Sequence, residues 1–274
     1  MVDLGQLAGA FEWAADYKEV DDIEAHIDTV GEPSMYPHLV ELVENLSGNK
    51  HVKTVSMQTN GFLLNEKLVD KLDEAGLSRI NMSIETLDPE LAKKIAGIDH
   101  YDIEKVLRNA EYIARNTGID LLIAPVWLPG INDNEITKLI EFALKIGAGK
   151  KWPALGIQKF LQHKNGRRPD ARVMNWKKFY WQLGEWEKIY KVKLILTPED
   201  FGSHECNALP RMFRRDEKVK VMVKGPGWMK GEKLAIAKDR VLTVADAGNI
   251  PAGKEILVRV ERVVDGIYMA RKLN

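Results

Sequence analysis

Short runs rich in Val, Ile and Leu alternate with helix-spaced segments from Glu24 to Leu196, and this alternation restricts the fold more than any other property of the chain. Strands are predicted at Glu24 to Val30, Val52 to Gln58, Arg79 to Ile84, Asp120 to Val126, Ala154 to Phe160 and Val192 to Leu196. Between them, helices are predicted at Pro37 to Leu46, Asn65 to Ala75, Tyr101 to Asn116, Asp133 to Ile146 and Asn175 to Tyr190. Asn65 and Asp88 are placed to cap helices, Pro89 to open one and Gly76 to close one. A further helix is expected over Met1 to Lys18, from the apolar spacing of Leu4, Leu7, Ala8, Phe11 and Ala15. Parallel neighbours cannot be joined by a tight turn, so strands separated by crossover helices imply a parallel sheet. The expected class is α/β, as an open sheet or a partial (β/α) barrel.

With 274 residues, 45% of them apolar, the chain is long enough to bury one large core and a smaller one. It shows no apolar run near membrane-spanning length and no secretory signal pattern at its start. One cysteine excludes an internal disulfide. These features point to a cytoplasmic protein with no membrane partner. The net charge of zero conceals an asymmetry: from Arg211 onward 15 Lys and Arg face 8 Asp and Glu, leaving 25 against 32 before it. A basic tail on an acidic body reads either as a polyanion-binding attachment or as a solvated charged surface. The expected domains are residues 1–210 and 211–274.

In parallel α/β folds ligands lie beyond the carboxyl ends of the strands. Reading those ends gives Asp28, Thr29, Gly31 and Glu32; Gln58, Thr59, Asn60 and Gly61; and Ser83, Glu85 and Thr86. The later ends add Pro125, Trp127, Pro129, Gly130, Asn132 and Asp133, then Gln158, Lys159, Gln162 and His163. Turn chemistry alone accounts for any one cluster, whereas several in register point to a single site. His26, on the same alternating face as Asp28 and Val30, is read as a packed core histidine, with a ligand role as the alternative. Basic residues also gather at Lys150, Lys151, Lys159, Lys164, Arg167, Arg168 and Arg172, either as phosphate ligands beside the pocket or as a solvated loop. The aromatic residues Trp176, Phe179, Tyr180, Trp181 and Trp186 are read mainly as packing, with a stacking platform as the alternative.

The order Gly31-Glu32-Pro33, Thr59-Asn60-Gly61, Ser83-Ile84-Glu85-Thr86 and Leu128-Pro129-Gly130-Ile131-Asn132-Asp133 resembles the radical S-adenosylmethionine superfamily, over about Glu24 to His163. The resemblance implies S-adenosylmethionine as cofactor. Gly31 and Glu32 would hold its methionine amino group, and Thr59, Asn60, Ser83 and Glu85 would face the methionine and ribose. Val126 to Gly130, with Trp127 and Pro129, would lie near the adenine. Val30 stands where the family usually has the first of two glycines. Family members carry a CxxxCxxC loop that ligates a 4Fe–4S cluster, and this chain has only Cys206. The resemblance therefore places a strand and its cluster loop upstream of Met1, with a sequence that begins at an internal methionine; the alternative is a protein that lost the cluster and kept the fold. The 4Fe–4S cluster is expected in the complete protein and not in this chain. Catalytic residues are not identified. His204 and Cys206 do not make a metal site, since no second ligand pair accompanies them.

The tail has a different texture. Predicted strands at Glu217 to Lys224, Glu232 to Ala237, Arg240 to Val244, Lys254 to Val263 and Gly266 to Lys272 are separated by Gly225-Pro226-Gly227, Gly231, Gly248 and Asp265-Gly266. Five short strands fit a small all-β barrel of OB type. The stretch is also similar to the TRAM domain, an RNA-binding barrel of tRNA-modifying enzymes. Lys224, Lys230, Lys233, Arg240, Arg259, Arg262 and Arg271 are the candidate phosphate contacts, and Trp228 and Tyr268 the candidate stacking rings. Together the halves suggest a radical S-adenosylmethionine enzyme acting on RNA, most plausibly tRNA, and inactive without the cluster segment. The alternative is an RNA- or nucleotide-binding protein without catalysis.

Overall fold

The computed structural model describes residues 2–28, 31–162, 169–264 and 266–273. Thr29, Val30, His163, Lys164, Arg167, Arg168 and Asp265, named above, lie outside the described residues. The chain divides into two compact units, Met1–Cys206 and Asn207–Asn274.

The first unit is the expected parallel α/β sheet. Helix α1 (Leu4–Lys18) leads to β1 (Ile23–Ile27), a short 3-10 turn (Pro33–Met35), α2 (Leu39–Ser47) and β2 (Val52–Thr59). Then follow α3 (Glu66–Glu74), β3 (Arg79–Met82), α4 (Pro89–Ala96), α5 (Ile103–Asn116) and β4 (Asp120–Ile123). Strand β5 (Val126–Trp127), α6 (Asp133–Ile146), β6 (Gln158–Lys159) and α7 (Trp176–Tyr190) complete the alternation. Strands β1 to β4 pair in parallel in chain order. Backbone bonds then carry the ladder on: Ile123 N–H donates to Ala154, Gly156 N–H to Ile123, and Gln158 N–H to Pro125. The single strand expected over Asp120 to Val126 is thus divided into β4 and β5, and the 154–160 segment lies alongside both.

Local chemistry sets the helix ends. The carboxamides of Asn65 and Asn175 and the carboxylates of Asp88 and Asp102 each accept from a backbone N–H in the first helical turn, as a polar N-cap does. The predicted strand over Val192 to Leu196 does not form. Glu187, in the last turn of α7, accepts the N–H groups of both Leu194 (2.7 Å) and Ile195 (2.8 Å), which removes the donors a strand would need.

One face of the sheet is apolar and packs on the helices: Ala25, Val55, Met57, Ile80, Met82, Leu121 and Ile123 join α2, α3, α5 and α6 in a continuous core. Side chains alternate along a strand, so the opposite face takes Glu24 and His26, Thr54, Ser56 and Gln58, and Arg79 and Asn81. That inner face is polar. Among the described helices none is long and apolar enough to cross a membrane.

The second unit is a closed barrel of β7 (Lys218–Pro226), β8 (Lys233–Ala237), β9 (Arg240–Ala245), β10 (Glu255–Val264) and β11 (Ile267–Lys272). Around it the order is β7, β8, β9, β11, β10, with β9 and β11 parallel and the other neighbours antiparallel. This is a Greek-key barrel of the expected OB type. Val221, Val223, Ala235, Leu242, Val244, Val258, Val260 and Ala270 fill it, with Phe213 and Tyr268 meeting edge to face at 4.9 Å. Strand β7 runs through Gly225 and Pro226, expected to be a turn, because a register shift between Val223 and Gly225 absorbs them into the ladder with β8.

Candidate functional site

At the carboxyl ends of β1 and β2 the side chain of Glu32 acts as a clamp. Its Oε1 accepts from the Ser34 N–H (3.1 Å), the Ser34 hydroxyl (2.6 Å) and the Thr59 hydroxyl (2.6 Å), and its Oε2 accepts from the Asn60 N–H (2.9 Å). Thr59, buried to 2% exposure, also accepts from the Gly61 N–H, so its hydroxyl is used within the fold rather than turned to a ligand. Gly61 follows with φ of +72°, and a Cβ there would lie 3.0 Å from Met82 Sδ. A Cβ on Gly31 would meet nothing within 4 Å, so the backbone before the clamp borders open space.

Asn60, Ser83, Glu85 and Tyr101 line a concavity of about 230 Å³ floored by the apolar residues Ala92, Ile95 and Ile98. Tyr101 carried no strand-end signal in the sequence; it stands at the start of the segment leading into α5 and donates to the Asn60 carbonyl at 3.2 Å. Burial, and then the nearby charges of Glu85 and Glu32, raise its phenol well above the usual tyrosine range, so it stays a neutral donor. Ser83 accepts from Gln58 Nε2 at 2.8 Å and keeps its own proton to donate. Glu85 and Ile95 also line a second concavity, of about 800 Å³, with Val126, Leu128, Gly130, Gln158 and Lys159. Residues from the ends of β2 to β6 therefore line two adjoining concavities that share Glu85 and Ile95, and Glu32 reaches their edge through its bond to Asn60.

Several candidates support this surface instead of lining it. The indole of Trp127 is 5% exposed, packs on Phe179 and Trp186, and donates to Asp133 Oδ1 at 2.7 Å, so the expected cofactor contact from this ring is withdrawn. Pro129 lies on the same loop, where its carbonyl accepts from the Arg172 N–H. Asn132, 1% exposed, donates to the carbonyls of Glu85 (2.9 Å) and Val126 (3.0 Å) and accepts from the Leu128 N–H, tying two strand-end loops together. Lys150 donates to the carbonyls of Thr117 and Ile119, which neutralises the end of α5 and removes it from the set of phosphate ligands. Lys159 stays at the pocket wall, its ammonium 4.7 Å from the centre of the Trp176 ring.

Glu135 on α6 holds the third loop. Its Oε2 accepts from the Thr86 hydroxyl (2.6 Å) and the Leu87 N–H (2.9 Å), and its Oε1 from Lys138 (2.6 Å). Burial pushes its carboxyl up, but the bonds from Lys138, Thr86 and Leu87 outweigh burial and hold it at about 2. A carboxyl lowered from an ordinary 4.5 stabilises the fold above that value, and the stabilisation is lost as pH falls from 4.5 toward 2. This stabilisation is at most about 3 kcal/mol. Urea denaturation of Glu135→Gln at pH 7 is expected to show a loss of about 2 kcal/mol that shrinks by pH 3; equal losses at both pH values would refute the linkage.

On the inner face, His26 is exposed rather than packed in the core. Its Nδ1 lies 2.7 Å from Ser56 Oγ, and Ser56 donates its one proton to Glu24 Oε1 at 2.5 Å. Nδ1 must then be the donor, which leaves Nε2 of the neutral ring as an acceptor. Glu24 also pairs with Arg79, a residue from β3 that sequence reasoning did not single out.

In the barrel the expected phosphate contacts fall in separate places. Lys224 and Lys230 are exposed beside the Gly227 to Gly231 loop, where a Cβ on Gly227 would lie 2.5 Å from Glu232 Cβ and where Trp228 is 79% exposed. Lys233 is half-buried at the start of β8. Arg259 stands on the outer face of β10 opposite Lys218 and Arg271, and Arg262 is exposed further along that strand. Arg271 is paired with Asp246 and Glu261, so its charge is locally balanced. Arg240 is half-buried with an enclosed Nε that has no partner. Tyr268 is 3% exposed, and its hydroxyl accepts from the Met212 N–H; inside the barrel it cannot stack on a base.

The family model described as the radical SAM superfamily matches residues 7–143. Uncharacterized protein MJ0103 of Methanocaldococcus jannaschii is 44% identical over 290 residues, covering 98% of this chain and 67% of that protein. A probable GTP 3',8-cyclase of the same organism is 36% identical over 122 residues, 43% of this chain and 38% of its own length. The crystal structure of Streptococcus suis SuiB bound to S-adenosylmethionine superposes with a TM-score of 0.53 at 15% identity, covering 68% of this chain and 42% of that one, a likeness of fold.

Proposed function

The chain belongs to the radical S-adenosylmethionine superfamily, and from that premise we propose that its strand-end surface binds S-adenosylmethionine while its barrel binds RNA, of the tRNA class, as the substrate to be modified. The observation that carries the cofactor reading is the clamp: Glu32, Thr59 and Asn60 fix the ends of β1 and β2 beside open space at Gly31, next to the concavity of Ser83, Glu85 and Tyr101. The carboxylates there suit an ammonium group, and the serine and backbone groups suit ribose hydroxyls. Val126, Leu128 and Ile95 offer an apolar surface to a base. When bound with its cluster, the cofactor supplies radical chemistry; the residues described here bind it, orient it and exclude water.

A 4Fe–4S cluster needs three thiolates from the protein in this superfamily, and these 274 residues contain one cysteine, exposed Cys206, whose Sγ accepts from Lys18. The residues present do not fit that cluster. This favours the second reading, RNA or nucleotide binding without catalysis by this polypeptide. RNA binding draws support from the exposed Trp228 and the neighbouring Lys224 and Lys230 on a barrel of OB type, a shape that presents loops and lysines to single strands. Likeness to the TRAM domain adds to it.

Titration calorimetry of the whole chain with S-adenosylmethionine is expected to give one site, and absence of heat and of competition by S-adenosylhomocysteine would overturn the cofactor reading. Anaerobic incubation of this chain with iron and sulfide is expected to give no cluster under either functional reading. The cluster's visible absorption together with 5′-deoxyadenosine formation by the chain alone would remove the non-catalytic one.

A further inference from the structure

The barrel carries a second basic surface, made by residues that the sequence reading passed over. Before β7 the chain makes a tight turn held from several sides. Phe213 is 2% exposed in the barrel core, the Met212 N–H donates to Tyr268 Oη, the Asp216 N–H donates to the Val260 carbonyl, and the Arg214 N–H donates to Glu217 Oε2. Its peptide path is therefore fixed while Arg214 and Arg215 stay exposed. Together with Arg211 and with Lys238 from the β8–β9 hairpin, they border an open concavity of about 700 Å³.

The charges there are unequal. Of the two acids at the rim, Asp216 and Glu217, the second is taken by Lys238 at 2.6 Å and by the Arg214 N–H, and those bonds, with the charges of Lys238 and Arg214, hold its carboxyl below the usual range. Lys238 is further fixed by the Met212 carbonyl and lies 5.0 Å from the centre of the Phe213 ring. Among the described residues no carboxylate comes within 4.0 Å of the guanidinium groups of Arg211, Arg214 or Arg215, in contrast to Arg271, which has two. Guanidinium groups on a rigid turn, bordering a concavity and with no carboxylate within 4.0 Å, suit the oxygens of a phosphodiester, which a planar fork of donors matches in pairs.

We propose that the Arg211 to Arg215 turn is a phosphodiester-binding subsite for RNA, distinct from the loop that carries Trp228 and Lys230; it rests on the RNA reading of the barrel given above. The turn would hold the backbone without reading sequence, while the Trp228 loop supplies stacking.

The test uses the whole chain, a fluorescently labelled single-stranded RNA of mixed sequence, and anisotropy over a series of salt concentrations. Arg214→Ala with Arg215→Ala is expected to reduce the slope of log affinity against log salt by about 1.4, the value for two lost phosphate contacts on a single strand. Lys at both positions should restore most of the slope, and Trp228→Ala should weaken binding with the slope kept. Thermal melts confirm that each variant is folded. RNA binding by the parent chain with an unchanged slope in the double alanine variant would overturn the subsite and leave the RNA reading intact. Absence of binding by the parent chain at low salt would overturn the RNA reading itself, and the subsite with it.

Discussion

Glu24→Gln is expected to destabilise the first unit by about 3 kcal/mol, the largest effect of any single substitution considered for it. Arg79 is 3% exposed, with Nε on Asn81 Oδ1 at 2.9 Å, Nη2 on Glu24, and Nη1 enclosed without a partner. The rings of Trp152 and Phe201 each lie 5.0 Å from its guanidinium carbon. Neutralising Glu24 leaves a buried cation with only neutral acceptors, and removing one charged member of such a pair costs about 3–5 kcal/mol. Glu24 is 26% exposed, so water offsets part of the loss and the lower end applies. Replacing both partners by apolar residues, Glu24→Leu with Arg79→Met, should cost much less, because it removes the desolvation penalty together with the attraction. Urea denaturation distinguishes these cases; a Glu24→Gln variant within about 0.5 kcal/mol of the parent would show that the pair is not a buried one. The same substitution deprives Ser56 of its anionic acceptor. Nitrogen-15 spectra of His26 should then lose the preference for the Nδ1–H form.

Features set by neighbours in sequence were the legible ones. The apolar spacing of Ile136, Leu139, Ile140 and Ala143 marks α6, whose bounds, Asp133–Ile146, agree with the predicted ones, and Asn65 and Asp88 cap helices because a cap acts over three residues. The barrel was legible for a similar reason: alternation and glycine turns are short-range. Interactions that cross between elements were not. Arg79 meets Glu24 across 55 positions and Asn132 meets Glu85 across 47, so residues read as strand-end ligands proved to staple loops, and the charged inner face went unseen. Tyr268 could have been placed correctly. It shares the parity of Ala270, inside the barrel, whereas Met269 points outward. Val192 to Leu196 had the composition of a strand, but nothing within it announces that Glu187 takes its donors.

At the strand ends, Gly31→Ala and Glu32→Ala should separate binding from folding. A methyl group on Gly31 projects into open space, so the substitution is expected to change unfolding free energy by less than about 0.5 kcal/mol. If S-adenosylmethionine approaches that backbone, the methyl occupies the space the ligand needs, and affinity should fall by about tenfold or more, a change of about 1.4 kcal/mol. Glu32→Ala acts on both properties. It strips the acceptor from the Thr59 hydroxyl, the Ser34 hydroxyl and the Asn60 N–H, and Thr59 is buried; orphaning such a donor costs about 1–3 kcal/mol. The loss should appear in urea denaturation as about 2 kcal/mol, with calorimetric binding of S-adenosylmethionine abolished. Thr59→Val removes the orphaned hydroxyl but also the acceptor of the buried Gly61 N–H, so combining it with Glu32→Ala should recover little of the lost stability. On the proposed cofactor reading, in which the Glu32 carboxylate faces the ammonium group, binding should stay absent in that double variant. Recovery of binding in that variant would assign Glu32 a purely structural role and move the cofactor's ammonium to Glu85.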